Sequence, residues 1–150
     1  MNPRLPCFAA TLLALSAAVA AAQAIPQPKL PTVTLNAGMH NIVAEVARSP
    51  QEWQIGMMMR TEMATHEGML FSSDEDAPRC FWMRNTLLPL SAAFVASDGT
   101  VVNIADMAPK SDASHCSTKP VRYVLEMNQG WFAKRGIKPG FKLRGAPFSG

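Results

Sequence analysis

From Thr32 onward the chain alternates short apolar runs with turn-forming residues, a pattern that predicts strands far more often than helices. Thr32-Val33-Thr34-Leu35 repeats with period two, Asn36-Ala37-Gly38 is turn chemistry, and His40 to Ala47 reads as the returning strand of a hairpin. The pattern breaks at Ser49-Pro50-Gln51-Glu52. Ser49 at the N-cap, Pro50 at the first helical position and Glu52 closing a capping box predict a short helix from Pro50 to about Met58, with Trp53 and Met57 on one face. Gly68-Met69-Leu70-Phe71 enters a strand, and the polar, acidic run from Ser72 to Arg79 reads as a surface loop. Ser91 to Ala96 and Val101 to Met107 flank the turn Ser97-Asp98-Gly99-Thr100 and predict a second hairpin. Ala108 to Pro120 is a long irregular loop. Arg122 to Met127 is the next strand, with Tyr123, Leu125 and Met127 on one face and Arg122, Val124 and Glu126 on the other. Asn128 caps a second short helix, Gln129 to Arg135, closed by Gly136, and Pro139-Gly140 turns the chain into a last strand, Phe141 to Arg144. The expected fold is mainly β, a compact single-domain barrel or sandwich of short strands with two short helices.

One stretch departs from simple alternation. Phe81-Trp82-Met83 is interrupted by Arg84-Asn85-Thr86 before apolar character resumes at Leu87-Leu88-Pro89-Leu90. A strand, a turn carrying Asn85 and Thr86, and a second strand account for it. A small-molecule pocket accounts for it as well, with Trp82 as a flat wall and Asn85 and Thr86 as donors and acceptors beside it.

The N-terminus changes the picture of where the protein works. Arg4, the apolar run Phe8 to Val19 and Ala22-Gln23-Ala24 have the three-part make-up of a signal peptide, so residues 1–24 are expected to be removed after Ala24. Ile25 to Pro31, with three prolines, reads as an extended linker, leaving 32–150 as one domain in a periplasmic or secreted protein. The 14 Lys and Arg, less Arg4, against 11 Asp and Glu leave a net charge of +2 with no basic run, so nucleic acid is not an expected partner. No stretch of the mature chain approaches the roughly 20 apolar residues of a membrane helix, and no heptad prescribes an oligomeric state. Cys80 and Cys116, the two cysteines left after cleavage, are expected to form a disulfide in an oxidising compartment.

Four segments together resemble the domain of unknown function 192 (DUF192) family. They are Gly56-Met57-Met58-Met59-Arg60, Gly68-Met69-Leu70-Phe71, Phe81-Trp82-Met83-Arg84-Asn85-Thr86 with Pro89-Leu90, and Tyr123-Val124-Leu125-Glu126-Met127-Asn128-Gln129-Gly130. The likeness runs from about Leu35 to Leu143. It implies a small β-rich fold in a bacterial exported protein and no established activity. Two departures stand out: many members have Gly-Leu-Met-x-Arg where this chain has Gly56 to Arg60, and many have Pro-Leu-Asp where it has Pro89-Leu90-Ser91. If that aspartate acts as an acid or base in other members, this chain lacks it.

The candidate binding residues are therefore Arg60, Trp82, Met83, Asn85, Thr86 and Glu126. Arg60 and Glu126 form an ion pair in one reading; in the other, Arg60 grips a small anionic ligand, its carboxylate or phosphate held in forked geometry. None of His40, His66 and His115 sits in a catalytic motif, and Ser91 has no nucleophile-elbow context, so no catalytic residue is assigned and no cofactor is called for. Two alternatives stay open. Glu126 can serve a hydrolase or lyase as acid or base at the same pocket. Met57, Met58, Met59, Met63, His66 and Met69 can offer soft ligands to Cu(I), with Met59, Met63 and His66 on one face if that stretch is helical, or they can simply fill a small core.

Overall fold

The computed structural model describes residues 25–148, and every structural statement below concerns these. The signal-peptide expectation for residues 1–24 lies outside them. In chain order the elements are β1 (Thr32–Ala37), β2 (His40–Ala47), α1 (Pro50–Ile55), β3 (Glu67–Ala77), β4 (Cys80–Phe81), β5 (Leu90–Val95), β6 (Val101–Met107), β7 (His115–Cys116) and β8 (Val121–Asn128). Six strands make one sheet in the order β1-β2-β3-β8-β5-β6, and β4 pairs with β7 in a separate two-stranded sheet. α1 carries the crossover that lets β3 run parallel to β2, while the other sheet pairings are antiparallel. The arrangement is mainly β and sandwich-like, not a closed barrel.

Local chemistry explains the start of α1 and its early stop. The Ser49 hydroxyl accepts from the Glu52 N–H (3.2 Å), and the Glu52 carboxylate accepts from the Ser49 N–H (2.8 Å), completing the expected capping box. The helix ends at Ile55 and does not reach Met58, because Gly56 turns the chain at φ +48°, where a Cβ would also press on the Phe71 ring at 3.1 Å. Gln27 seals that end by donating to the carbonyls of Glu52 (3.2 Å) and Gly56 (2.9 Å), so residues 25–31 lie along the domain as a docked strap.

Three expectations from the sequence are corrected. Ser72 to Ala77 is strand, not loop: its backbone continues the ladder to β8 through a register shift, and Asp76 meets Arg122 at 3.2 Å. The second helix is only a 3-10 turn, Ala133–Arg135, closed by Gly136 at φ +68°. Asn128 does not cap it, because Asn128 ends β8 and its amide donates to the carbonyls of Met63 (3.1 Å) and Ala64 (3.2 Å). Residues 141–144 form no strand and instead bridge both sheet edges, at Asn36 with Arg144 and Thr100 with Lys142.

Both faces of the sheet are covered. On one, Leu35, Ile42, Leu70, Leu125 and Met127 pack against Trp131, Phe132, Ile137 and Leu143 from the chain after β8. On the other, Met69, Phe71, Phe94 and Val124 pack with Met57 and Met83. Tyr123, Leu125 and Met127 share a face as the alternation predicts, but Val124 and Glu126 opposite them are buried too.

Cys80 and Cys116 are joined, as expected, across the registered β4–β7 pair with Cα atoms 4.0 Å apart. The bond closes a span of 36 residues, for which chain entropy gives a stabilisation of roughly 4 kcal/mol. Replacing both cysteines by serine is expected to lower the unfolding free energy by about 2–4 kcal/mol in urea titrations. An unchanged midpoint would show that the loop's hydrogen bonds alone hold it.

Candidate functional site

The interrupted stretch after β4 forms one wall of a narrow crevice of about 40 Å³. Phe81 and Trp82 make that wall, and the end of α1 with the turn at Gly56, Met57 and Met58 makes the other. Phe71 from β3, Thr86 and Glu126 from β8 complete the lining. Backbone hydrogen bonds fix the polar triplet: Thr86 N–H donates to Met83 (3.0 Å), Met83 N–H to Ser111 (2.9 Å) and Lys110 N–H to Thr86 (3.0 Å). The opposite wall is tied to it directly, since the Met59 N–H donates to the Asn85 carbonyl at 3.0 Å. Met59 reaches this bond at φ +60°, a left-handed conformation that costs a non-glycine residue roughly 1–2 kcal/mol.

The six sequence candidates divide. Thr86 and Glu126 are buried in the crevice lining, and Trp82, 46% exposed, stands at its mouth. Asn85 is exposed beside it, its amide 3.8 Å from the Met58 sulfur. Met83 is a core residue of the same face. Arg60 lies elsewhere: it lines a broad groove of about 730 Å³ with Pro26, Gln27, Lys29 and residues 61–64.

The ion pair between Arg60 and Glu126, one of the two readings of Arg60, does not form. Arg60 donates a fork to Glu45, at 2.5 and 2.8 Å, and Lys29 approaches the same carboxylate at 3.1 Å. Sequence reasoning passed over Glu45; its place among the apolar residues of a predicted strand was the available signal. Burial pushes the Glu45 carboxyl up, but hydrogen bonds from Arg60, the Leu30 N–H and Lys29 more than reverse this and leave it below the ordinary range. Register explains the choice of partner. Glu45 pairs with Met69 and Met69 with Glu126, so the two acids stand in one cross-strand row with a methionine between them.

Glu126 has the opposite fate. It is 4% exposed, no hydrogen bond or ion pair reaches its carboxyl among the described residues, and burial pushes its pKa up to about 8. At neutral pH the crevice therefore holds a neutral carboxylic acid and, elsewhere in its lining, the Thr86 hydroxyl, among aromatic and thioether groups.

The methionine-rich stretch is not helical beyond α1. Met59 and Met63 line the broad groove, whereas His66 lines a separate depression with His40 and Trp131, so the three do not share a face. Ser91, at the position of the family departure, accepts from the Gly130 N–H at 2.8 Å and donates to Asp106, and it lies outside the crevice.

The chain belongs to the DUF192 family of uncharacterized proteins, whose profile matches residues 32–145. It is similar to the crystal structure of a protein from Sinorhizobium meliloti named as a proposed transcription regulator, with 38% identity, 80% of this chain and 98% of that one covered, and a TM-score of 0.76. A protein of unknown function from Novosphingobium aromaticivorans is 39% identical, with 75% of this chain and 83% of that one covered and a TM-score of 0.70. No functionally curated protein matches the chain.

Two outcomes follow from the acids. Arg60→Met is expected to cost about 3–5 kcal/mol by stranding Glu45, and the pair of changes Arg60→Met with Glu45→Leu to cost clearly less, measured in a denaturant double-mutant cycle. For Glu126, native and unfolded forms are both protonated below the ordinary value of 4.5, and between there and about 8 only the unfolded form gives up its proton. Its contribution therefore erodes stability as pH rises through that window, by roughly 3 kcal/mol at pH 7. Glu126→Gln removes this slope, so its stability relative to the native protein is expected to climb between pH 5 and pH 8; parallel curves would contradict the assignment.

Proposed function

We propose that this DUF192 protein is an exported small-ligand-binding or accessory domain whose ligand enters the crevice between the Gly56–Met58 turn and Phe81–Trp82. One observation carries the reading: the Glu126 carboxyl, 4% exposed and without a hydrogen-bond or ion-pair partner among the described residues, lines the same crevice as Thr86, where an entering group can meet it. A carboxyl in a crevice also lined by Thr86 and an exposed indole has the make-up of a binding site with few polar contacts and apolar walls. Export fits the Cys80–Cys116 disulfide.

Binding is favoured over hydrolysis or elimination by the inventory of the lining. Glu126 is its one titratable side chain, and no hydrogen bond joins it to Thr86. Copper at Met59, Met63 and His66 has no geometric support, since those side chains line different depressions. The regulator name of the Sinorhizobium relative likewise finds little echo in a mature net charge of +2 without basic runs.

The test uses Trp82 and Trp53 as reporters, because both line the crevice while Trp131 lies on the other face of the sheet. A screen of small compounds by indole fluorescence and thermal shift is expected to find binders whose affinity falls about tenfold in Thr86→Val, at a stability cost of no more than about 1–2 kcal/mol. If no compound moves either signal, or binders are indifferent to Thr86→Val, the crevice is structural.

A further inference from the structure

We infer that the ligand group taken by the crevice is a primary ammonium, with Glu126 as its counter-ion, Thr86 as a hydrogen-bond acceptor and aromatic rings around it. This rests on the ligand-site reading above and names the chemistry of the same site.

The charge inventory around Glu126 points this way. Arg60 is committed to Glu45 in the same cross-strand row, and Lys29 adds to that acid, so neither pairs with Glu126. Of the other charges, Arg84 lies over the Trp82 ring (4.2 Å) and pairs with Asp112, Arg79 lies over Trp53 (5.3 Å) and bonds Ser73, and Glu52 is held in the capping box of α1. None of them reaches the Glu126 carboxyl.

The walls supply what a cation needs once it leaves water. Trp53, Phe71, Phe81 and Trp82 all line the crevice, and three of these rings stand within 4.7 to 5.9 Å of one another. Ring faces attract cations through their quadrupoles, and the indoles of Trp53 and Trp82 already do so toward Arg79 and Arg84. Size narrows the choice further. About 40 Å³ is room for a small polar head group. An –NH3+ group suits a site lined by the Glu126 carboxyl, whereas a carboxylate or phosphate would find no cation there to pair with. Cu(I) is less well served, because the Met58 sulfur is engaged by Asn85 and a single carboxyl is a hard ligand.

Entry of the ammonium changes the protonation of the acid. The neutral carboxyl releases its proton to solvent as R–NH3+ arrives and becomes the carboxylate of a charge-assisted hydrogen bond. Below about pH 8 binding therefore liberates up to one proton per ligand. A free amine and the side chain of a lysine in a partner protein present the same group.

The experiment titrates the disulfide-bonded protein at pH 6.5 with n-butylamine, n-butanol, sodium butyrate and a lysine tripeptide blocked at both ends. Calorimetry in two buffers of different ionisation heat reads affinity and proton release together. The expected result is binding of n-butylamine with about one proton released, at least about tenfold tighter than the alcohol or the acid, and loss of both affinity and proton release in Glu126→Gln. Tighter binding of the lysine peptide than of butylamine would assign the source to a protein lysine, and the reverse to a free amine; either supports the inference. Equal or better binding of butanol or butyrate, still sensitive to Thr86→Val, would overturn the ammonium class and leave the ligand site standing. Amine binding that persists unchanged in Glu126→Gln would overturn it too, as would Cu(I) binding abolished by Met58→Leu in a protein inert to amines. Silence toward every probe would overturn both this inference and the site it rests on.

Discussion

Two-sided burial of β8 is the constraint from which the rest of the molecule follows. The strand lies between β3 and β5 at the middle of the sheet, and successive residues alternate between two cores. A polar side chain on either face costs free energy unless it is hydrogen-bonded, and Glu126 stands there without a partner among the described residues. The backbone is equally restricted. Gly68 on β3 passes so close to β8 that a Cβ there would stand 2.6 Å from the Glu126 carbonyl, so the Gly68-Met69-Leu70-Phe71 motif reads as a fit between neighbouring backbones.

Against that constraint the single row Glu45, Met69, Glu126 shows how placement decides the state of an acid. Both carboxyls sit on the same face, and both are raised by burial. Glu45 lies on β2, next to the strap of residues 25–31 and within reach of Arg60, and donors from both lower it again. Glu126, two strands further in, is beyond all of them. Two strand spacings, together about 10 Å, are the difference between an ion pair and a neutral acid.

The disulfide and the crevice are parts of one arrangement. β4 and β7 are only two residues each, too short to hold the 108–120 loop by backbone pairing alone, and the Cys80–Cys116 bond supplies the missing constraint. That loop in turn holds Met83, Thr86 and Arg84 through Ser111, Lys110 and Asp112. Thus the wall carrying Trp82 is set by a covalent tie on one side and by the Asn85 contact to Met59 on the other.

Much of this was legible in the sequence, and the misses have physical causes. Ser49-Pro50-Gln51-Glu52 announced α1, because a capping box is local chemistry that tertiary context rarely overrides. The hairpins and the disulfide were equally readable, each resting on turn residues or on a count of two cysteines. Asn128 misled because a side-chain amide satisfies a distant loop as readily as a helix start, and only the fold brings Met63 and Ala64 to it. Ser72 to Ala77 misled because its polarity reports exposure, while its conformation is set by the neighbouring strand. At the site, Trp82, Thr86 and Glu126 line one crevice, whereas Arg60 lines a different groove. A sequence records that an arginine and two glutamates exist; which glutamate it meets depends on sheet register, and register is fixed by contacts between residues far apart in the chain.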